Sequence, residues 1–105
     1  MNEIEITERH EEDVTYLALN GNLVFGDANQ ELRDSIRHLL NEGRRKIYLD
    51  MKSVGYVDSS GIGELISGFT AINRKNGEFK LLNVPQRIME LLKICKLLDI
   101  FDIER

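Results

Sequence analysis

The chain has 105 residues, of which 42% are hydrophobic, and its 14 basic and 18 acidic side chains give a formal net charge of −4. That suffices for one compact domain with its own core, expected to span residues 1–105, and is too short for two. The single cysteine, Cys95, excludes an internal disulfide, and no run approaches the roughly 20 apolar residues of a membrane helix. No N-terminal apolar stretch resembles a signal peptide, so the expected compartment is the cytoplasm, without membrane insertion. Charges of both signs are mixed along the chain, and Arg44-Arg45-Lys46 is its only basic run. That argues against nucleic acid as a partner, which wants a concentrated basic surface.

In chain order, Ile4 to Thr7 reads as a first strand and Glu8 to Asp13 as a charged turn. Val14 to Leu19 reads as a second, more buried strand, stopped by Asn20-Gly21-Asn22. The short charged connection makes the pair a hairpin. Asp27 is expected to cap a first helix, with Gln30 completing a capping box. Ala28, Leu32, Ile36, Leu39 and Leu40 form its buried face, and Gly43 is its stop. A third strand covers about 46–51, followed by the turn-like Lys52-Ser53-Val54-Gly55 and then Tyr56-Val57.

Beyond Asp58 the period changes. Ile62, Leu65, Ile66, Phe69 and Ile72 are spaced 3, 1, 3 and 3, one face of a second helix that Asn76-Gly77 ends. Glu78 to Val84 is a fourth strand, and Pro85 closes it while opening a third helix. Ile88, Leu91, Leu92 and Cys95 are that helix's stripe, and Ile100 to Ile103 is a last short strand. Strands alternating with helices after a hairpin predict an α/β fold: one largely parallel sheet with an N-terminal hairpin and helices from β-α-β crossovers.

The chemistry concentrates at Asp58-Ser59-Ser60-Gly61-Ile62-Gly63, at the strand-to-helix junction. A helix start carries unpaired N–H groups and a partial positive charge, so it can hold a phosphate. Asp and Ser are also the usual caps, which is the plainer reading of the same residues. A serine nucleophile needs a base within reach. His10, in the charged turn, and His38, late in the first helix, do not follow a triad pattern, and Gly-x-Ser-x-Gly is absent. Gly63 and Gly68 fit Gly-x4-Gly, but Phe69 stands where a phosphate loop needs lysine. Gly61-x-Gly63 is followed by Ile66, so the dinucleotide fingerprint fails too. One cysteine and two separated histidines make no zinc set. No enzyme activity, cofactor or metal is expected. Gly68 is expected at a close helix–sheet contact, and Cys95 in the core or at the helix end.

Tyr56-Val57-Asp58-Ser59-Ser60-Gly61-Ile62-Gly63 resembles the phosphorylation loop of STAS domains, the fold of bacterial anti-sigma factor antagonists. The order of elements agrees from about Ile4 to Ile103. The resemblance implies that Ser59 is the phosphoacceptor and that Asp58, Ser60 and Gly61 support the loop. It implies a serine kinase-type anti-sigma factor as partner, bound while Ser59 is unmodified, so that sigma is freed. That kinase would use ATP to phosphorylate Ser59, and a metal-dependent serine phosphatase would reverse the step. The alternative is a STAS subunit of another partner-switching or sensory assembly that does not act on sigma.

The sequence departs from the family pattern in three places. Many members carry Gly-Glu-(Leu/Ile)-Asp after the second strand; here the segment is Gly21-Asn22-Leu23-Val24-Phe25-Gly26-Asp27, with Val24 in place of the acid. That makes an apolar partner surface of Val24, Phe25 and Asp27 with Ile62 and Gly63 the expectation, although one or two of Leu23, Val24 and Phe25 packing inward is equally open. Lys96 stands where the family often has glycine. The family usually continues into a further C-terminal helix, whereas this sequence ends at Arg105. A less well covered last strand is the expectation.

Overall fold

The computed structural model describes residues 4–104. The elements are β1 (Ile4–Glu11), β2 (Val14–Leu23), α1 (Asp27–Asn41), β3 (Lys46–Val57), α2 (Ser59–Arg74), β4 (Glu78–Leu82), α3 (Gln86–Ile94) and β5 (Asp102–Glu104). They form one five-stranded sheet in the order β1-β2-β3-β4-β5. β1 and β2 are antiparallel, and every later pair is parallel. Because each crossover steps to the next strand in the same direction, right-handed connections bring all the helices to one face. The alternation along β3 agrees: Ile47, Leu49 and Met51 are fully buried, while Tyr48 and Asp50 between them are half-buried on the other face.

Several boundaries differ from those expected of the sequence. The residues read as a charged turn continue β1 to Glu11, because Glu8, Arg9, His10 and Glu11 each pair with β2. The solvent side of an edge strand tolerates charge. β2 passes Asn20-Gly21-Asn22 to Leu23, and Lys52 to Gly55 is strand rather than turn. These two stretches pair with each other, Asn20 with Ser53 and Gly21 with Val54, with a register shift on each side. The sheet absorbs its glycines as irregularities instead of breaking. β4 ends at Leu82, not Val84, because Asn83 takes φ 54 and turns the chain out of the sheet. β5 begins at Asp102, since Ile100 and Phe101 fold back with their amides on the Leu97 carbonyl.

The helix ends follow one rule. Gly43, Asn76 and Lys96 take left-handed φ values of 89, 60 and 60. In each case the next amide reaches back over the last turn: Arg44 to the Leu39 carbonyl, Gly77 to Ile72 and Leu97 to Leu92. Lys96 thus adopts the conformation that glycine favours, and Leu97, not Cys95, takes the buried place; Cys95 is the exposed C-cap of α3. On α2, Ile66 is exposed rather than on the buried stripe, whose polar member is Glu64. Gly68 is closed most tightly by another helix: a Cβ there would lie 2.9 Å from Ile36 Cδ1 of α1, against 3.7 Å from the Phe79 ring of β4.

Candidate functional site

The site is built where two strand–helix junctions meet. Both lie at the C-terminal ends of neighbouring parallel strands, where Leu23 pairs with Val57. Crevices at that end of a parallel sheet are where such folds place their sites. Asp58 is the N-cap of α2, in extended conformation, and its Oδ1 accepts from the Gly61 amide at 2.9 Å and from the Ser60 hydroxyl at 2.6 Å. Its Oδ2 accepts from the Phe25 amide of the other junction at 3.1 Å, while its own amide donates to the Leu23 carbonyl at 3.3 Å. The Ser60 hydroxyl and the Gly61 and Phe25 amides hold the Asp58 carboxyl below its ordinary pKa. The carboxylate therefore stays ionised while binding both loops.

Ser60 is held from the far side as well. Asn29 of α1 is buried, and its Nδ2 donates to Ser60 Oγ at 2.8 Å. Its Oδ1 is buried without a partner among the described residues. One turn on, Arg33 of α1 donates two hydrogen bonds to Glu64 of α2, at 2.7 and 3.3 Å, and Glu64 is only 5% exposed. The Glu64 carboxylate in turn raises the Arg33 pKa. Neither Asn29 nor Glu64 stands out in the sequence. The available signal was a polar residue on an otherwise apolar helical stripe, which has to find a hydrogen-bond partner when buried.

Against that network Ser59, the first residue of α2, is exposed. Gly61 is buried, and a Cβ there would strike the Leu23 carbonyl and the Val57 side chain, so glycine lets the two junctions touch. Gly63 is exposed, and a Cβ at that position would have no neighbour within 4 Å. The alternatives at Leu23-Val24-Phe25 resolve residue by residue: Leu23 is buried, Val24 half-buried and Phe25 83% exposed. Asp27 is exposed too, but Gly26, not Asp27, is the N-cap of α1, and no side chain caps that helix. Gln30 donates to Asp34 instead of closing a capping box. Ile62, expected both on the apolar face of α2 and in the partner surface, is 7% exposed and belongs to the core.

The other flank of Ser59 carries no mark in the sequence. A groove of about 430 Å³ runs between the junction and α3, lined by Tyr56, Ser59, Arg87, Leu91 and Ile94. Tyr56 is 54% and Ile94 78% exposed. Ser59 thus lines the Tyr56–Ile94 groove, while its neighbour Asp58 holds the backbone of the exposed Phe25. The histidines are engaged elsewhere: His10 between Thr15 and Glu8, His38 beside Glu42. No group of three metal-ligating side chains occurs among the described residues.

The family model of the STAS domain matches residues 5–105. The chain belongs to the STAS domain family. A curated relative, the anti-sigma-B factor antagonist of Staphylococcus aureus, is 32% identical over 73 residues, covering 70% of this chain and 68% of the relative. A crystal structure from Thermotoga maritima superposes with a TM-score of 0.86 at 24% identity, covering 93% of this chain and 84% of that one. The Bacillus cell fate determinant SpoIIAA in its phosphorylated form gives a TM-score of 0.74 at 17% identity, covering 96% and 92%. The order of strands and helices expected of a STAS domain is therefore present, as is the N-terminal hairpin. The name of that curated relative is that of an antagonist of another protein, not of an enzyme. Among the described residues no helix is long and apolar enough to cross a membrane.

Proposed function

We propose that this STAS domain is an anti-sigma factor antagonist whose binding surface surrounds Ser59 and whose switch is phosphorylation of that serine. Unmodified, it binds a serine kinase-type anti-sigma factor and sigma is released. The kinase uses ATP to phosphorylate Ser59, and a metal-dependent serine phosphatase restores the binding form, all in the cytoplasm. One observation carries the reading: an exposed serine at the first position of α2, on a loop otherwise pinned by Asp58, Ser60 and Asn29, lining a groove with the exposed Tyr56 and Ile94. The name of the Staphylococcus relative supports the class of partner, and the phosphorylated Bacillus neighbour supports the modification.

A phosphate on Ser59 adds about −1.5 to −2 charges at pH 7. At a helix N-terminus that charge is favourable, worth about 0.3–1 kcal/mol when exposed. The domain keeps its shape, because the loop's hydrogen bonds run through Ser60, Gly61 and Asp58 and leave Ser59 out. The cost falls on the partner, which has to bury a dianion at the Tyr56–Ile94 groove. Desolvating an unpaired charge costs several kcal/mol, and about 1.4 kcal/mol is tenfold in affinity.

The test uses the host's serine kinase-type anti-sigma factor with ATP. One phosphate should appear, on Ser59, and none on Ser59→Ala. Peptide mapping that puts it on Ser60 would refute the assignment. Ser59→Asp should bind the partner poorly while amide shifts stay within residues 22–27 and 56–64. Shifts spread over the sheet and α3 would mean a global rearrangement instead.

A further inference from the structure

α1 and α2 pack side by side, and the stripe each turns outward lines a second groove of about 410 Å³, within the roughly 300–1,000 Å³ of ligand-sized clefts. α1 contributes residues 33, 36, 37, 40 and 41, and α2 with its C-cap contributes 64, 67, 68, 71, 74 and 75. Both sets follow helical spacing. The floor is apolar: Ile36, Leu40, Gly68 and Ala71. The walls are cationic, with Arg33 and Arg37 on one side and Arg74 and Lys75 on the other. The one carboxylate in the lining, Glu64, is buried and already taken up by Arg33. Arg37, Arg74 and Lys75 are exposed and make no ion pair among the described residues.

This concentration runs against the protein's net charge of −4. Arg74 and Lys75 lie at the C-terminal end of α2, where a cation also offsets the helix dipole. That account does not extend to Arg37, which lies just ahead of the last turn of α1. An apolar strip flanked by cations on both sides complements one shape of partner: a helix with an apolar face and carboxylates along both of its edges. We propose that the α1–α2 groove is a docking site for an acidic amphipathic helix of a partner protein. The aliphatic side chains of that helix sit over Ile36, Leu40 and Ala71, and its carboxylates meet Arg37, Arg74 and Lys75. This surface lies along the helix pair and is argued independently of phosphorylation at Ser59.

The probe is a fluorescein-labelled amphipathic peptide with leucines at i, i+3, i+4 and i+7 and glutamates elsewhere. Its binding to the full chain, read by anisotropy, should weaken as salt rises. Amide shifts should map to residues 33–41 and 64–75. Arg37→Glu with Arg74→Glu should weaken binding about tenfold or more, and the glutamine pair at the same positions should weaken it less. Both pairs are at exposed positions, and an unchanged thermal midpoint verifies the fold; should the glutamate pair unfold, the glutamine pair decides. Equal affinity for a peptide with lysines in place of the glutamates would overturn the proposal. So would shifts on another face, or a single-stranded oligonucleotide binding these residues where the acidic peptide does not.

Discussion

The two strand–helix junctions that meet at the site are held in different ways. The β3–α2 junction carries its own cap: Asp58 accepts from Ser60 and Gly61 within the same turn. The β2–α1 junction has none. Its N-cap is Gly26, at φ 110 and ψ −138, without a side-chain hydrogen bond, and its nearest anchor is Asp58 of the other junction, reached through the Phe25 amide. One carboxylate therefore orders two helix starts, one directly and one by loan. The proposed acceptor lies on the self-capped loop, where its position is defined. The exposed Phe25 lies on the borrowed one, where the side chain can adapt to a partner.

The strongest way to break this arrangement is to separate the junctions. Gly61→Ala puts a Cβ against the Leu23 carbonyl and Val57. It should cost about 1–3 kcal/mol, as overpacking of a tight contact does. For a domain of this size that lowers the thermal midpoint by roughly 4–8 °C per kcal/mol. Gly63→Ala, two residues on and facing open space, is the control. It should be neutral or stabilise by up to about 1 kcal/mol through helix propensity. Equal losses at both glycines would show that the junction contact is unimportant.

Asp58→Ala sharpens the comparison, because it removes the cap from one helix and the loan from the other. The expected loss is about 0.5–2 kcal/mol. Hydrogen exchange should quicken at both Gly61 and Phe25, and protection retained at Phe25 would refute the shared-carboxylate account. The same group sets a pH dependence. Its folded pKa lies below the ordinary value of 3.8. Its contribution is therefore complete above the unfolded carboxylate range and is lost as pH falls through the lowered folded value. The stability gap between the native protein and Asp58→Ala should close in that acid window and stay constant above it.

The smallest effect on stability belongs to Phe25→Ala. The side chain is 83% exposed, so the stability should stay within about 0.5 kcal/mol of the native protein. Partner binding should nonetheless fall several-fold. A large drop in midpoint would mean that Phe25 packs inward in solution and that the junction is not adaptable.

Local signals carried the element order, because helical and strand periods are written in nearest neighbours. The capping Asp58, the helix stops at Gly43 and Asn76-Gly77, and the loop bearing Ser59 were all legible in this way. The overturned readings share a cause. Glu8 to Glu11 and Lys52 to Gly55 look like turns in isolation, and they become strand only because a partner strand lies beside them. The Asp27–Gln30 pattern has the right spacing for a capping box, yet the junction it would close is already anchored at Phe25 by Asp58, 33 residues further along the chain.

Taken alone, then, the sequence determined the fold class, the family and the loop on which Ser59 lies. Only the tertiary structure decided which apolar residues of 23–25 face outward, and that Ile62 serves the core and not the partner surface. It alone paired Asn29 with Ser60 and Arg33 with Glu64. It also gathered the cations of α1 and α2 along one groove. The physical reason is range. Periodicity and capping act within one or two turns, whereas burial and charge grouping depend on helices that the chain brings together from about 30 residues apart.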